Sequence, residues 1–346
     1  MNVLIFIISL VLLITLHELG HFLFAKKFDV KVHEFGIGIP PRVIGKKIGE
    51  TIYSVNALPL GGFVRMLGED EQVEDERSFS EKPIWQRAII LIAGVVSFWL
   101  VAILIFAVVA FGWGVMTEIP EEAEAKESFL LVNVIESEYQ REDGFEMQDT
   151  IKRVDDKEVK TVEEFKESLK EGGVITVSRG GEEKEIIIDE EERDEILSLL
   201  DIRRVAINQM SVLESASFGV RQTVNVTRLQ AGGLWVALRG AATGDGLPDG
   251  MEIGGPVMIG DMATDALDRG VGDYLMFVGM IATILAFMNI LPIPALDGGR
   301  LLFLAIEKVK GSPIPEKVER NVNAAFFVLL LVLMIVITVR DIYNIF

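Results

Sequence analysis

The chain has 346 residues, 50% of them hydrophobic, with no cysteine, only three histidines and a formal net charge of −19. Disulfides and thiolate metal sites are excluded, so any transition-metal site must draw on His, Asp or Glu. The acidic balance excludes nucleic acid as a partner, because phosphate binding needs a basic face, and the apolar fraction is too high for an ordinary soluble protein of this size.

The first predicted element is a membrane-spanning helix from about Asn2 to Ala25. It lacks a basic n-region and a small-residue cleavage site, so it is expected to be a retained helix and not a signal peptide. Inside it stands LITLHELGHFLFAKK, residues 13–27, with His17, Glu18 and His21 in an otherwise apolar run. An ionisable group at that depth is expensive and is read first as functional. HELGH is an HExxH match. On a helix, positions i and i+4 share a face, so His17 and His21 can bind one Zn²⁺ and Glu18 is placed nearby to take a proton from water.

Residues 30–68 read as a β-hairpin region. VIGKKIGETIYSV, residues 43–55, predicts two short strands around a Gly-containing turn. Gly36, Gly38, Gly61 and Gly62 allow close backbone approach and are candidates for substrate binding. A scissile peptide bond must leave its helix, and pairing the extended substrate with a strand edge would hold it open.

A second span follows from about 88 to 115, with Trp85 and Trp113 near its ends. Most of the negative charge comes next: between Glu118 and Asp201 there are 28 acidic and 11 basic residues. Residues 125–190 read as a small α/β domain. Strands are expected at 129–135, 150–154 and 173–189, the last turning at Gly180-Gly181, and a helix is expected to open at Thr161 with a Glu three residues on. Residues 191–272 are expected to be a linker with amphipathic helix from Ser211 to Ala242, carrying Arg221, Arg228, Arg239 and Trp235. That helix could lie at a membrane interface or pack on the α/β domain.

The third span, Tyr274 to about Ala305, is interrupted by Pro292 and Pro294 in FMNILPIPALDGGR, residues 287–300. Broken backbone at membrane depth is tolerated where it lines a protein cavity. Asp297 in this stretch is the carboxylate that stands out as a third metal ligand; its other reading is a helix cap. His33 lies beyond the first helix and reads as a surface histidine. The fourth span covers about 323–339.

Lys26, Lys27, Lys31, Arg42, Lys46 and Lys47 follow the first span; Lys308, Lys310, Lys317 and Arg320 separate the third from the fourth. Both loops are expected in the cytoplasm, and the N-terminus and acidic region outside. The first and third spans then both run inward. At 1.5 Å per residue His17 and His21 lie about 7–14 Å above Lys26, and Asp297 lies about 15 Å above Glu307. All three fall at similar depth, near the cytoplasmic side.

HELGH at 17–21 with NILPIPALDGG at 289–299 resembles the site-2 proteases, zinc metalloproteases that cut inside membranes. The segment order is similar to the bacterial anti-sigma-factor-cleaving branch, with an extracytoplasmic PDZ region between the second and third of four helices. The resemblance implies one Zn²⁺ held by His17, His21 and Asp297, with Glu18 as catalytic base and Asn289 holding the substrate or its oxyanion. FGIGIPP (35–41) and LPLGGFVRM (58–66) match the family's membrane-associated β-hairpin, and GGP (254–256) another of its signatures. Two departures stand out. Ile284 occupies the place of a second family Asn, and the acidic segment has room for one PDZ domain where the family's best-studied members have two.

The expected architecture is a polytopic α-helical membrane protein of the cell membrane. It comprises an N-terminal membrane core (1–115), a PDZ-like domain (125–190), the linker (191–272) and a C-terminal membrane core (273–346). Its expected substrates are single-pass membrane proteins in the bilayer, of the anti-sigma-factor or signal-peptide-remnant kind. Two rivals use the same residues: a binding protein or chaperone without catalysis, against which Glu18 counts, and a metal or proton transporter, which would usually show repeated halves.

Overall fold

The computed structural model of the protein describes residues 2–69, 71, 73–122, 128–134, 144–146, 149–179, 182–244, 246 and 254–345. The expected turn at Gly180-Gly181 lies outside them. The chain divides into two units, Met1–Ala107 with Ala216–Phe346, and Val108–Ser215.

The first unit opens with α1 (Asn2–Lys27). Its apolar run ends where Lys26 and Lys27 complement the helix dipole. Asp29 at φ 53° then takes the left-handed cap position, with Val30 N–H reaching the Ala25 carbonyl at 2.8 Å. Strands β1 (Val32–Ile48) and β2 (Thr51–Met66) follow. They are far longer than the two short strands expected over 43–55. Arg42–Ile48 pairs antiparallel with Thr51–Asn56, while 32–37 pairs antiparallel with 62–66 and also lies in register with 52–55, both numbers rising together. Each strand is thus used twice. Gly38 and Gly61, at φ 78° and 108°, allow the chain to bend where L residues would be strained, and Pro40, Pro41 and Pro59 interrupt the hydrogen-bond ladder. Glu34 sits almost fully buried among these rows and takes hydrogen bonds from Arg42, Ser54 and Arg65.

Helix α2 runs Ile84–Gly112, four residues ahead of its expected start. The second unit is built from β3 (Val115–Glu118), β4 (Ser128–Val134), β5 (Thr150–Val154), β6 (Lys157–Glu158), α3 (Val162–Ser168), β7 (Gly173–Arg179), β8 (Glu182–Ile188), α4 (Arg193–Leu199) and β9 (Leu200–Asn208). Its sheet order is β3-β9-β4-β5-β7-β8, with β6 on β5. Thr161 caps α3 through the Glu164 N–H. Leu130, Val132, Ile151, Phe165, Ile175, Val177 and Ile188 form the core. The sheet is wider than the 125–190 domain expected from sequence. Residues 200–208, expected in the linker, form a strand between β3 and β4. Asp201, Arg203 and Arg204 hide its alternation, although Val205 and Ala206 are buried.

Next come α5 (Val212–Thr243), of which all but the first turn belongs to the first unit, and then α6 (Pro256–Arg269), α7 (Val271–Ile290), α8 (Asp297–Lys310) and α9 (Glu316–Ile345) of that unit. A Ser211–Glu214 capping box opens α5. Its Gly219 lies against the Ile103 carbonyl of α2, and Gln230 donates to Thr283 of α7 at 3.0 Å. The helix therefore packs on spanning helices along this stretch. At GGP, Gly255 leaves room for Asp341, which accepts the Met258 N–H at the start of α6. The expected third span is two helices: α7 stops at Ile290, before Pro292, and α8 restarts at Asp297. Among the described residues α1, α2, α7 and α9 are long and apolar enough to cross a membrane. Phe6, Leu13, Phe98, Phe106, Phe277, Ile281 and Ala282 pack the centre of this unit.

Candidate metal centre

His17 and His21 stand one turn apart on the buried face of α1. The α2 helix backs both rings. Phe98 stacks on His17 with centroids 4.5 Å apart, and His21 Nδ1 lies 2.8 Å from the Ile90 carbonyl. A carbonyl only accepts, so His21 carries its proton on Nδ1 and presents Nε2 with a free lone pair. Asp297, the first residue of α8, reaches in from the other side. Its Oδ2 lies 3.2 Å from His17 Nε2 and 3.3 Å from His21 Nε2, and the two nitrogens are 3.1 Å apart. Among the described residues this is the one group of three His, Asp or Glu residues whose ligand atoms converge in this way.

The triangle fits a metal ion. Zinc bonds imidazole nitrogen and carboxylate oxygen at about 2.0–2.2 Å in tetrahedral sites, which sets its ligands roughly 3.3 Å from one another. Of the triangle's atoms, Asp297 Oδ2 is buried with no hydrogen-bond partner. Buried polar atoms are rarely left so. Two imidazole nitrogens and one carboxylate oxygen also match the three-ligand donor set of a catalytic zinc.

Glu18, next to His17, is half-buried and within electrostatic range of His17, His21, Asp297 and Glu69. Asn289 is not turned toward the triangle; its amide donates to the Leu285 carbonyl one turn back in α7. Ile284 is partly exposed. Gly61 and Gly62 lie on α1 at Ile14 and Thr15, one turn before His17. Gly36 and Gly38 lie inside the hairpin, against Phe63, Asn56 and Leu58.

Several supporting residues escape a motif reading. A Cβ on Gly94 of α2 would collide with both imidazoles, and one on Gly20 with Ser97 and the Ala93 carbonyl. The helices touch through these small residues, and a small-residue row within an apolar span is the sequence signal for such contact. A Cβ on Gly298 or Gly299 would collide with the carbonyls of Ile290, Leu291 and Ile293, so glycine lets α8 start this close to the end of α7. Glu69 accepts from Arg300 of α8 and from the Met66 N–H at the end of β2.

The hairpin is anchored away from the centre. Glu50, at its turn, is bonded by Lys26 at 2.6 Å and by Arg77 at 2.7 and 2.8 Å. The hydrogen bonds from Arg77 and Lys26 hold its carboxyl down to about 2. For Glu34, burial pushes the carboxyl up, but hydrogen bonds from Ser54 and Arg42 and the charges of Arg42 and Arg65 outweigh it and keep it below the ordinary carboxylate range.

A family model described as Peptidase family M50 matches residues 5–333. A Clostridium acetobutylicum protein whose name reads as a zinc metalloprotease is 31% identical over 346 residues, covering 99% of this chain and 97% of its own. The zinc metalloprotease RasP of Oceanobacillus iheyensis is 26% identical, covering 99% and 98%. The regulator of sigma-W protease RasP of Bacillus subtilis is 26% identical, covering 100% and 99%.

Proposed function

The chain belongs to peptidase family M50 and is a zinc metalloprotease, and on that premise we propose that it hydrolyses peptide bonds within the membrane-spanning segments of other proteins. The observation that carries the reading is the meeting of His17, His21 and Asp297, three atoms 3.1–3.3 Å apart, on helices of an apolar bundle.

In this reading His17, His21 and Asp297 hold the zinc. When bound, zinc supplies Lewis acidity, polarising a carbonyl and making water a better acid. Glu18 takes the proton from the attacking water and returns it to the leaving amine. Asn289 leaves the Leu285 carbonyl and donates its amide to the substrate or its oxyanion. The stretch around Gly61 and Gly62 offers backbone beside Ile14 and Thr15, where an extended substrate strand would lie next to Glu18; Gly36 and Gly38 support that strand from within the hairpin. The basic loops after α1 and α8 place the centre near the cytoplasmic side, with the N-terminus and the acidic, PDZ-like unit outside. The proposed substrates are single-pass membrane proteins of the anti-sigma-factor or signal-peptide-remnant kind; the name of the Bacillus subtilis relative, regulator of sigma-W protease, supports a role in sigma-factor control.

The test is cleavage of a model transmembrane substrate in detergent by wild type, Glu18→Gln and Asp297→Ala, with bound zinc quantified in each. Both variants should lose cleavage, Glu18→Gln keeping zinc and Asp297→Ala losing it. Cleavage surviving in Glu18→Gln would sink the assigned base, and zinc retained in full by Asp297→Ala would sink the ligand set.

A further inference from the structure

We propose that Asn323, on α9, is a positioning residue for Asp297. The inference rests on the metal reading above. Between α7 and α8 the chain makes the turn Leu291–Leu296. Ala295 stands there at φ 77°, in the left-handed region that is strained for an L residue. It has no glycine's freedom, so something outside the turn must hold it.

The hydrogen bonds of the turn identify the holder. Ile293 N–H goes to the Leu291 carbonyl at 2.7 Å, Leu296 N–H to Ile293 at 3.2 Å, and Gly299 N–H to Leu296 at 3.0 Å. Ala295 N–H instead reaches a side chain from elsewhere, the Asn323 Oδ1, at 3.0 Å. The start of α8 lies close against this turn, since a Cβ at 298 or 299 would collide with the backbone of Ile290, Leu291 and Ile293. Movement at Ala295 would pass to the two residues that follow it, Leu296 and Asp297. Asp297 Oδ2 must stay within 3.2–3.3 Å of two imidazole nitrogens, and a small rotation at Ala295 would carry it out of place. Asn323 thus acts on the metal through the backbone, as outer-shell partners of metal ligands do.

The chemistry makes a sharp set of variants. Asn323→Leu removes the acceptor at similar size; Asn323→Asp keeps an acceptor at the same reach. Ala295→Gly removes the cost of the left-handed conformation, so it should matter only where Asn323 no longer supports that conformation. In the full-length detergent-solubilised protein we expect Asn323→Leu to weaken zinc about tenfold or more in chelator competition and to lower kcat more than KM. Asn323→Asp should restore both to within about threefold of wild type, and Ala295→Gly should recover part of the loss in the Asn323→Leu background.

Zinc affinity unchanged in Asn323→Leu would overturn the proposal, as would equal weakening in Asn323→Leu and Asn323→Asp. If Asn323→Leu does not fold, Asn323→Ala with and without Ala295→Gly decides the matter: no loss of zinc affinity in Asn323→Ala, or no recovery on adding Ala295→Gly, overturns it. Wild type that binds no zinc removes the metal reading and this inference together, a result distinct from wild type and variants binding equally.

Discussion

Asp149 of the acidic unit and Asp297 of the membrane-type unit are treated in opposite ways. Asp149, in the acidic unit, is fully buried, and both its oxygens are taken: Arg179 Nε donates at 2.8 Å, Arg179 Nη2 at 2.7 Å and Glu146 N–H at 2.9 Å. Asp297, in the membrane-type unit, has Oδ2 buried without a hydrogen-bond partner and faced by two bare imidazole nitrogens. The acidic unit spends its buried charge on holding a sheet together. At Asp297 one buried oxygen is left without a hydrogen-bond partner, and such an atom is tolerated where a ligand completes it. The same residue type is structural in one place and functional in the other because of its partners.

That contrast predicts two separable failures. Asp297→Ala should lower zinc affinity by more than the roughly 10–100-fold that outer-shell changes cost, and cleavage should fall to background. Thermal unfolding of the acidic unit should not shift, as followed by exchange of the β4, β5 and β7 amides. Loss of protection in those strands with zinc retained would reverse the comparison.

The converse change is Arg179→Ala. It leaves the Asp149 carboxylate buried without its guanidinium, a defect of about 3–5 kcal/mol. The acidic unit should unfold at lower denaturant while bound zinc per chain stays at the wild-type level. Zinc lost in step with the sheet would show that the two buried aspartates are not independent.

A subtler change sharpens the contrast from the metal side. Gly94→Ala adds one methyl group where both imidazoles already touch α2. The rings must tilt, Nε2 of each leaves the triangle, and zinc affinity should fall about 10–100-fold with little change in helix content. A matching Gly112→Ala, where a Cβ meets nothing, should leave zinc affinity alone.

Gly94 also marks the limit of what the sequence makes legible. His17, Glu18 and His21 announce themselves because they are ionisable groups one turn apart in an apolar run, and Asp297 because it follows a broken span. Those signals are local. Gly94 works by lacking a side chain opposite another helix, marked only by a small-residue row, and Asn323 by bonding a backbone 28 residues away, which leaves no local trace. The hairpin misleads for a related reason. Two short strands are expected over 43–55, yet Gly38 with Pro40 and Pro41 in β1, and Pro59 with Gly61 in β2, bend two long strands so that each pairs twice. In β9 the charges of Asp201, Arg203 and Arg204 mask a strand that pairs on both sides, β3 and β4. Pairing between distant segments decides these cases, and composition over a short window does not contain it.

The hairpin gives the smallest effect, and a charge that is satisfied near the surface. Glu50 ties the hairpin turn to Lys26 and Arg77, and its carboxyl is held near 2 against an ordinary value of 4.5. A carboxyl whose folded pKa is depressed contributes stability above its unfolded pKa and loses it as pH falls through the folded one. The anchoring by Glu50 should therefore be complete above about pH 4.5 and fade between there and about pH 2. Glu34 titrates in the same sense, since its carboxyl is also held low, so the informative quantity is a difference. Protection of the Arg42–Ile48 amides, corrected for intrinsic exchange at each pH, should fall more steeply on acidification in wild type than in Glu50→Gln. Equal slopes would mean that Lys26 and Arg77 merely neutralise a mobile turn. A steeper slope in wild type would mean that the ion cluster fixes the hairpin, and with it the Gly61–Gly62 backbone beside Thr15.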